Sequence, residues 1–383
     1  MTGWNWIPSS GSVIIDNFST SKTLAILPPH NSNDNFVLNV SAQSVDEVGG
    51  HIDISDAVIL PITVQVKGVA DAAILDVKDF ATTEAVVDAA DNKIALSNVI
   101  DNVGLTDTDG SETLTLILTG LDPQFKVEGE GATYVGGDGV NRVWIVDTSK
   151  LATTHIVTSE NFSGTINLNL RAITTENDGD SLTGALKPVT IEVTPSPEST
   201  IVSSTTTHED TLAHLNFNIV HHNDDNDETL TSVWIKVSDV EGKNFTLYYG
   251  NSTAATLASA VGSPGVVLED GYYKLTGSAI NTIYAKGAPN THGSFHFDIK
   301  YEITDPSSDS TLPSVTEQTD TTYNFIVNAV TDQTETSVDL ITGDKPSVII
   351  SGNQITVTEN STVSVTIKGR TGAGPECQQS ARL

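Results

Sequence analysis

Apolar and polar residues alternate along much of the chain. The pattern is clearest in Ile166-Asn167-Leu168-Asn169-Leu170-Arg171-Ala172, in Phe295-His296-Phe297-Asp298-Ile299-Lys300-Tyr301 and in Val363-Ser364-Val365-Thr366-Ile367. A period of two sends successive side chains to opposite faces and predicts half-buried strands. Thr, Val and Ile are abundant, Gly, Asn and Asp turns are frequent, and long amphipathic helical patterns are missing, which together predict antiparallel β-sandwiches. The clearest exception is the alanine-rich stretch Ser252 to Ala260, which predicts a short helix.

The strand pattern itself repeats. Ile62-Thr63-Val64-Gln65-Val66, Val189-Thr190-Ile191-Glu192-Val193 and Tyr323-Asn324-Phe325-Ile326-Val327 are each followed five residues later by an acid: Asp71, Glu198 and Asp332. Their last valines lie 127 and 134 positions apart, a spacing of tandem domains rather than of a solenoid with repeats of about 20 to 50 residues. The second repeat divides into strands near Ala73-Val77, Lys93-Leu96, Leu114-Leu118, Phe125-Val127, Arg142-Val146, Ile166-Ala172 and Val189-Val193. Seven strands fit an immunoglobulin-like sandwich. The predicted organisation is a partial sandwich over 1–67, a complete one over 68–195, a larger one with insertions over 196–331, the start of another over 332–369 and a non-native or disordered tail over 370–383.

An acidic loop returns in register with these units. Asp107-Thr108-Asp109-Gly110-Ser111-Glu112-Thr113-Leu114-Thr115 matches Asn223-Asp224-Asp225-Asn226-Asp227-Glu228-Thr229-Leu230-Thr231. A single such loop is an ordinary turn, whereas carboxylates returning at one place in successive domains point to hard-cation sites. Counting strands up and down brings Asp107, Asp109 and Glu112 to the same end as Glu176, Asp178 and Asp180, with Asp71 above them. The opposite pole carries Glu84 and Glu160 towards Glu198, Asp224, Asp225, Asp227 and Asp305. Glu209 and Asp210, and further on Glu359, follow opening strands in the same way. Calcium, which takes six to eight oxygen ligands, is the expected ion, and magnesium with its strict octahedral shell suits such loops less well.

Composition sharpens this expectation. The chain carries 49 Asp and Glu against 18 Lys and Arg, a formal charge of −31, which disfavours nucleic acid as a partner and favours bound cations. The single cysteine, Cys377, lies in the tail, so the array is expected to have no disulfide even though secretion would permit one, and metal is the usual substitute staple. No apolar run of about 18 residues is present, and Met1-Thr2-Gly3-Trp4-Asn5-Trp6 lacks the features of a cleavable signal. Either the chain is an interior fragment or an export signal lies elsewhere.

These repeats, with Leu105-Thr106-Asp107-Thr108-Asp109-Gly110-Ser111-Glu112 as the most specific piece, resemble a cadherin-like tandem array. They are most similar to the repeats of giant calcium-dependent bacterial adhesins of the RTX type, exported by type I secretion. The resemblance implies calcium at domain boundaries that stiffens the chain into a spacer on the bacterial surface. It also implies a monomer whose partners are neighbouring domains of a longer chain, with cell-surface or glycan ligands held by other domains and no membrane insertion. The first unit is short, Pro195 and Pro197 stand in one linker, Asn226 and Asp227 replace Gly110 and Ser111, and the glycine-rich nonapeptides of the RTX family are absent.

Other chemistries find less support. His221 and His222 invite zinc, yet no tetrahedral ligand spacing accompanies them. His208, His214, His292 and His296 are scattered, and no nucleophile elbow, zinc-protease helix or phosphate loop occurs, so no enzyme is expected. The aromatic residues Trp234, Tyr248, Tyr249, Tyr272, Tyr273 and Tyr284 leave open a carbohydrate- or peptide-binding module in the third unit, against a simpler role as core and cross-strand pairs. A sustained Thr-x-Thr ladder, as ice binding would need, is absent. Asn39, Asn161, Asn244, Asn251 and Asn360 stand in glycosylation-type triplets that arise by chance in a Thr-rich chain.

Overall fold

The structure, a computed structural model, describes residues 4–7, 12–15, 23–85, 93–222, 226–241, 243–250, 255–330, 335–341, 348–351, 354–357 and 364–370. It divides into two compact units. One comprises Met1–Ala81, Asn92–Ser159 and Ile166–Ile191, and the other Thr82–Asp91, Glu160–Thr165 and Glu192–Leu383.

The first unit opens with three antiparallel pairs: β1 (Trp4–Ile7) with β2 (Ser12–Ile15), β3 (Phe36–Ala42) with β6 (Val58–Val64), and β4 (Val45–Val48) with β5 (His51–Ile54). The β4–β5 hairpin turns at Gly49 and Gly50, with φ of 62° and 84°, the left-handed pair that a two-residue hairpin requires. Twelve strands follow: β7 (Ile74–Val77), β8 (Phe80–Thr83), β9 (Lys93–Ala95), β10 (Ile100–Gly104), β11 (Glu112–Thr119), β12 (Lys126–Glu128), β13 (Ala132–Gly136), β14 (Val143–Val146), β15 (His155–Val157), β16 (Gly164–Glu176), β17 (Ser181–Thr183) and β18 (Lys187–Thr194). One sheet runs β13-β14-β11-β16-β18-β8 with β17 on β16, a second runs β12-β15-β9, and β7 pairs with β10.

The second unit contains β19 (Thr200–Ile201), β20 (Ser204–His208), β21 (Ala213–His214), β22 (Ile219–Val220), β23 (Thr229–Lys236), β24 (Phe245–Tyr249), β25 (Val266–Glu269), β26 (Tyr272–Thr276), β27 (Ile283–Gly287), β28 (Gly293–Asp305) and β29 (Val315–Asn328). Its sheets run β25-β26-β23-β28-β29-β20 and β24-β27-β21, with β19 paired to β22. Strand for strand this is the order β13-β14-β11-β16-β18-β8, β12-β15-β9 and β7-β10. The second and third repeats therefore share one topology, the all-β sandwich of immunoglobulin-like and cadherin-like domains. Four further strands, β30 (Glu335–Ile341), β31 (Val348–Ser351), β32 (Gln354–Val357) and β33 (Ser364–Arg370), form two antiparallel pairs.

Alternation decides what is buried. Along β16 the inward positions are Ile166, Leu168, Leu170, Ala172, Thr174 and Glu176, and along β28 they are Phe297, Ile299, Tyr301, Ile303 and Asp305. Each strand thus carries its core-facing phase past the apolar residues and buries an acid at its last position. The core of the second unit packs Phe245 on Phe297 edge-on at 4.7 Å and Phe217 against Tyr323 at 5.0 Å. Tyr323 is fully buried, and its hydroxyl meets Thr205 Oγ1 at 2.5 Å and accepts the Asn216 N–H at 2.9 Å, satisfying the polar end of an otherwise apolar side chain.

All seven strands expected in the second repeat are present, but β8, β10, β13, β15 and β17 join them. The expected helix over Ser252–Ala260 is corrected to a single 3₁₀ turn at Ala258–Ala260 among the described residues, while Thr256 bridges to Tyr248. Alanine propensity alone does not hold so short a helix. Nor is the array wholly antiparallel, because β20 pairs with β29 in parallel from Ser204↔Asn324 to His208↔Asn328.

Candidate metal centres

Two carboxylate clusters stand at equivalent places in the topology, one in each unit. In the first, β11 and β16 pair so that Glu112 lies opposite Glu176, and both side chains are buried. Glu112 Oε1 accepts the Asp71 N–H at 2.5 Å, while Glu112 Oε2 is buried with no hydrogen-bond partner. The acidic loop folds on itself: Asp107 Oδ1 accepts the Asp109 N–H at 2.9 Å, and Asp109 Oδ1 accepts the Ser111 N–H at 2.8 Å. Asp107 is 3% exposed. The turn after β16 holds the chain before β7, since Asp178 Oδ2 accepts the Gly68 N–H and Asp180 Oδ2 the Ala70 N–H, both at 2.9 Å. A Cβ on Gly68 would lie 2.7 Å from the Glu176 carboxyl carbon, so this position admits the backbone only.

Burial pushes the Glu176 carboxyl above its usual range, with the charges of Glu112, Asp107 and Asp178 adding to the shift and a Ser111 hydrogen bond opposing it. Hydrogen bonds from Ser111 hold Asp109 below its usual value. Asn33 Nδ2 donates to Glu176 Oε2 at 3.1 Å, a neutral partner for a crowded acid.

The second cluster repeats this scheme. Glu228 Oε1 accepts the Glu198 N–H at 2.6 Å, as Glu112 accepts that of Asp71, and Glu228 also binds the amide and hydroxyl of Ser199. Asp305, at the end of β28, is 1% exposed. The Ser196 N–H is shared between Glu84 Oε1 at 2.5 Å and Asp305 Oδ2 at 2.8 Å. Both oxygens of Glu198 are buried without a hydrogen-bond partner, and its carboxyl is pushed up to about 7 by burial and then by Glu228, Asp305 and Glu160. Asp305 is also raised, first by burial, then by a hydrogen bond and charge from Glu84, with Asp227 adding to it. Two carboxyls sharing a hydrogen bond need a proton between them, which is how crowded acids cope when no cation is present.

The sequence-predicted residues are thus distributed. Asp71, Asp107, Asp109, Glu112, Asp178 and Asp180 gather with Glu176 in the first cluster, and Glu84, Glu160, Glu198, Asp227 and Asp305 gather in the second. Glu209 sits at the end of β20 as Glu84 does after β8: its N–H donates to Asn328 O, as that of Glu84 donates to Thr194 O, and its Oε1 accepts the Val330 N–H at 2.6 Å. Its other oxygen faces His292 Nδ1 at 3.4 Å. Asp210 turns aside, at φ 59°, to accept the Asn290 N–H. Asp224, Asp225, Asp332 and Glu359 lie outside the described residues. Glu228, the residue that binds the second linker, is not among those the sequence singles out, although it occupies the place of Glu112 in the matched loops.

Among the described residues, no three His, Cys, Asp or Glu side chains converge as a ready cage. Their chemistry nonetheless fits a hard cation. The donors are oxygen. Asp107, Glu112 and Glu176 of the first cluster and Glu84, Glu228 and Asp305 of the second are buried, while Asp109, Asp178, Asp180, Glu160 and Asp227 are exposed. Glu112 and Glu198 present orphaned oxygens, and no Lys or Arg among the described residues forms an ion pair with Glu112, Glu176, Glu198, Glu228 or Asp305. His221 Nδ1 reaches Ser199 Oγ at 3.4 Å, a place beside the carboxylate cluster.

The aromatic side chains of the third repeat serve the sheets. Trp234 and Tyr273 are buried, Tyr248 stands opposite Tyr284, and Lys274 covers the Trp234 ring at 4.5 Å. No helix among the described residues is long and apolar enough to cross a membrane.

No family model matches this chain, and no curated protein matches it. Solved structures that are similar include the fibronectin(III)-like modules of Clostridium thermocellum CbhA, 11% identical over 67% of this chain and 95% of that one, with a TM-score of 0.17. The first two ectodomains of human mucin-like protocadherin are 11% identical over 68% of this chain and 100% of theirs, with a TM-score of 0.20. The major pilin subunit BcpA of Bacillus cereus is 12% identical over 76% and 77%, also with a TM-score of 0.20. At these scores the likenesses carry no functional argument.

Proposed function

We propose that this chain is an extender segment of a large secreted bacterial adhesin of the RTX type, stiffened by calcium at its carboxylate clusters to hold a distal adhesive domain away from the cell. The observation that carries this reading is the pair of equivalent clusters in which buried oxygens of Glu112 and Glu198 lack a hydrogen-bond partner at a linker segment. A bound calcium ion would supply the positive charge and the oxygen coordination that these groups lack.

The residues themselves do the rest. Glu112 holds the Asp71 amide and Glu228 the Glu198 and Ser199 amides, while both offer further oxygen lone pairs. Glu176 and Asp305 close the buried side, and Asp107 and Asp109 are oriented by their own loop amides. Like charges about 5 Å apart in an effective dielectric of 20 repel by about 3 kcal/mol, so several ionised acids around one linker favour its departure. Neutralising them reverses that tendency and fixes the linker, and no catalytic step is required.

The first test is confined to one cluster. Asp107→Ala combined with Asp109→Ala is expected to weaken calcium binding at the first cluster at least ~10-fold in calorimetric titration, about 1.4 kcal/mol. The second cluster should keep its affinity. Equal loss at both would mean that the substitutions act through folding rather than through a ligand set.

A further inference from the structure

We infer that the loop of residues 161–165 is fastened to residues 307–311 by a hydroxyl and amide clasp that needs no cation, so that the segment beside the second cluster stays ordered when calcium is withdrawn. Both loops belong to the second compact unit. The contrast with the first cluster rests on the calcium reading above, whereas the clasp itself does not.

Ser163 and Ser308 exchange bonds. The Ser163 N–H donates to Ser308 Oγ at 2.9 Å, the Ser308 N–H donates to Ser163 Oγ at 3.0 Å, and the two hydroxyls lie 3.1 Å apart. Ser308 Oγ donates to Asn161 O at 2.9 Å, and Ser307 Oγ donates to Ser163 O at 3.3 Å. Two residues beyond Ser163, the Thr165 N–H donates to Asp309 Oδ2 at 3.0 Å, and the Thr165 and Thr311 hydroxyls meet at 2.9 Å. Ser163 is 1% and Ser307 6% exposed, which shields the bonds centred on Ser163 from competing water, whereas the Thr165–Asp309 and Thr165–Thr311 bonds lie at the surface. Between them, Gly164 has φ 148°, and a Cβ there would lie 2.2 Å from the Asp309 carboxyl carbon. Only glycine permits this approach.

Electrostatics separates the clasp from the clusters. Its one carboxylate, Asp309, is opposed by burial yet held below the usual range by hydrogen bonds from Thr311, Thr165 and Ser307. Its charge is thus answered by protein donors. The equivalent loop of the second repeat is built otherwise. Glu176 ends β16 as Asp305 ends β28, and the residues two and four places on are Asp178 and Asp180 in one repeat, Ser307 and Asp309 in the other. Asp178 and Asp180 spend their charge on the Gly68 and Ala70 amides, with Asp178 adding to the load on Glu176. In the third repeat serine replaces the first of these acids, so the Ser163–Ser307–Ser308 bonds are neutral and Asp309 alone keeps a charge, answered by the Thr165 and Thr311 donors.

Hydrogen exchange of the full chain in calcium and in chelator tests this. Peptides over 161–165 and 307–311 should keep their protection within about threefold on chelation, while peptides over 68–71 lose at least ~10-fold. In chelator, Ser308→Ala and Gly164→Ala, made separately, should each speed exchange at 161–165 by about tenfold without changing the β28 core. Chelation that strips 161–165 as fully as 68–71 would overturn the clasp, as would variants that leave exchange there unchanged. Exchange that ignores calcium everywhere would defeat the calcium reading alone, and the two variants would then decide the clasp by themselves.

Discussion

Glu228→Gln is expected to weaken calcium binding at the second cluster by about a hundredfold, roughly 2.8 kcal/mol, while making the calcium-free protein more stable. The two opposite effects have one cause. Glu228 is 2% exposed and accepts the Glu198 and Ser199 amides, and glutamine keeps a carbonyl acceptor at the same reach. What it loses is charge, together with the Oε2 acceptor of the Ser199 amide, whose N–H still lies 3.4 Å from the position of Oε1. With no cation present, that charge only repels Glu198, whose carboxyl is raised by burial and next by Glu228, so removing it relieves the site. With calcium present the same charge becomes a ligand, and its loss costs affinity. Melting curves of the variant in calcium and in chelator should therefore cross those of the parent protein. A variant less stable under both conditions would show that Glu228 serves packing alone.

The second large effect is a pH dependence that appears only without calcium. In the folded protein Glu198 titrates near 7 instead of 4.5, and Asp305 is raised as well. A carboxyl whose folded value lies above its unfolded one binds its proton more tightly in the native state. Its contribution is fully present below the unfolded value and is lost as pH rises through the folded one. In chelator, stability should thus fall as pH rises from about 5 through about 7, with the melting temperature dropping by at least ~5 °C. In millimolar calcium the acids are held ionised by the cation, and this slope should flatten or reverse. A melting temperature indifferent to pH in chelator would mean that the acids of the second cluster are relaxed and solvated, contrary to their burial.

How far the sequence reveals this depends on which residues carry a period. The long strands β16 and β28 are legible because their alternation runs over 13 residues each, and the same phase, followed to its last member, places Glu176 and Asp305 inward. Strands such as β15 and β17 have three residues, and β20, Ser-Thr-Thr-Thr-His, has no apolar member at all. Their pairing comes from neighbours rather than from pattern. The acidic loops are legible as repeats, but loop acids and strand acids look alike in sequence. Attention to Asp224, Asp225 and Asp227 passes over Glu228, which alone is in register with Glu112. The clasp leaves no local trace, since Ser163 and Ser308 are 145 residues apart.

Small-angle X-ray scattering of the whole chain, recorded with a melting curve in millimolar calcium and again in chelator, tests calcium stiffening most directly. Calcium should give a longer, stiffer and more thermostable particle, and chelator a shorter, more flexible one. Identical scattering and melting under the two conditions would contradict calcium stiffening and leave a spacer whose joints hold without metal.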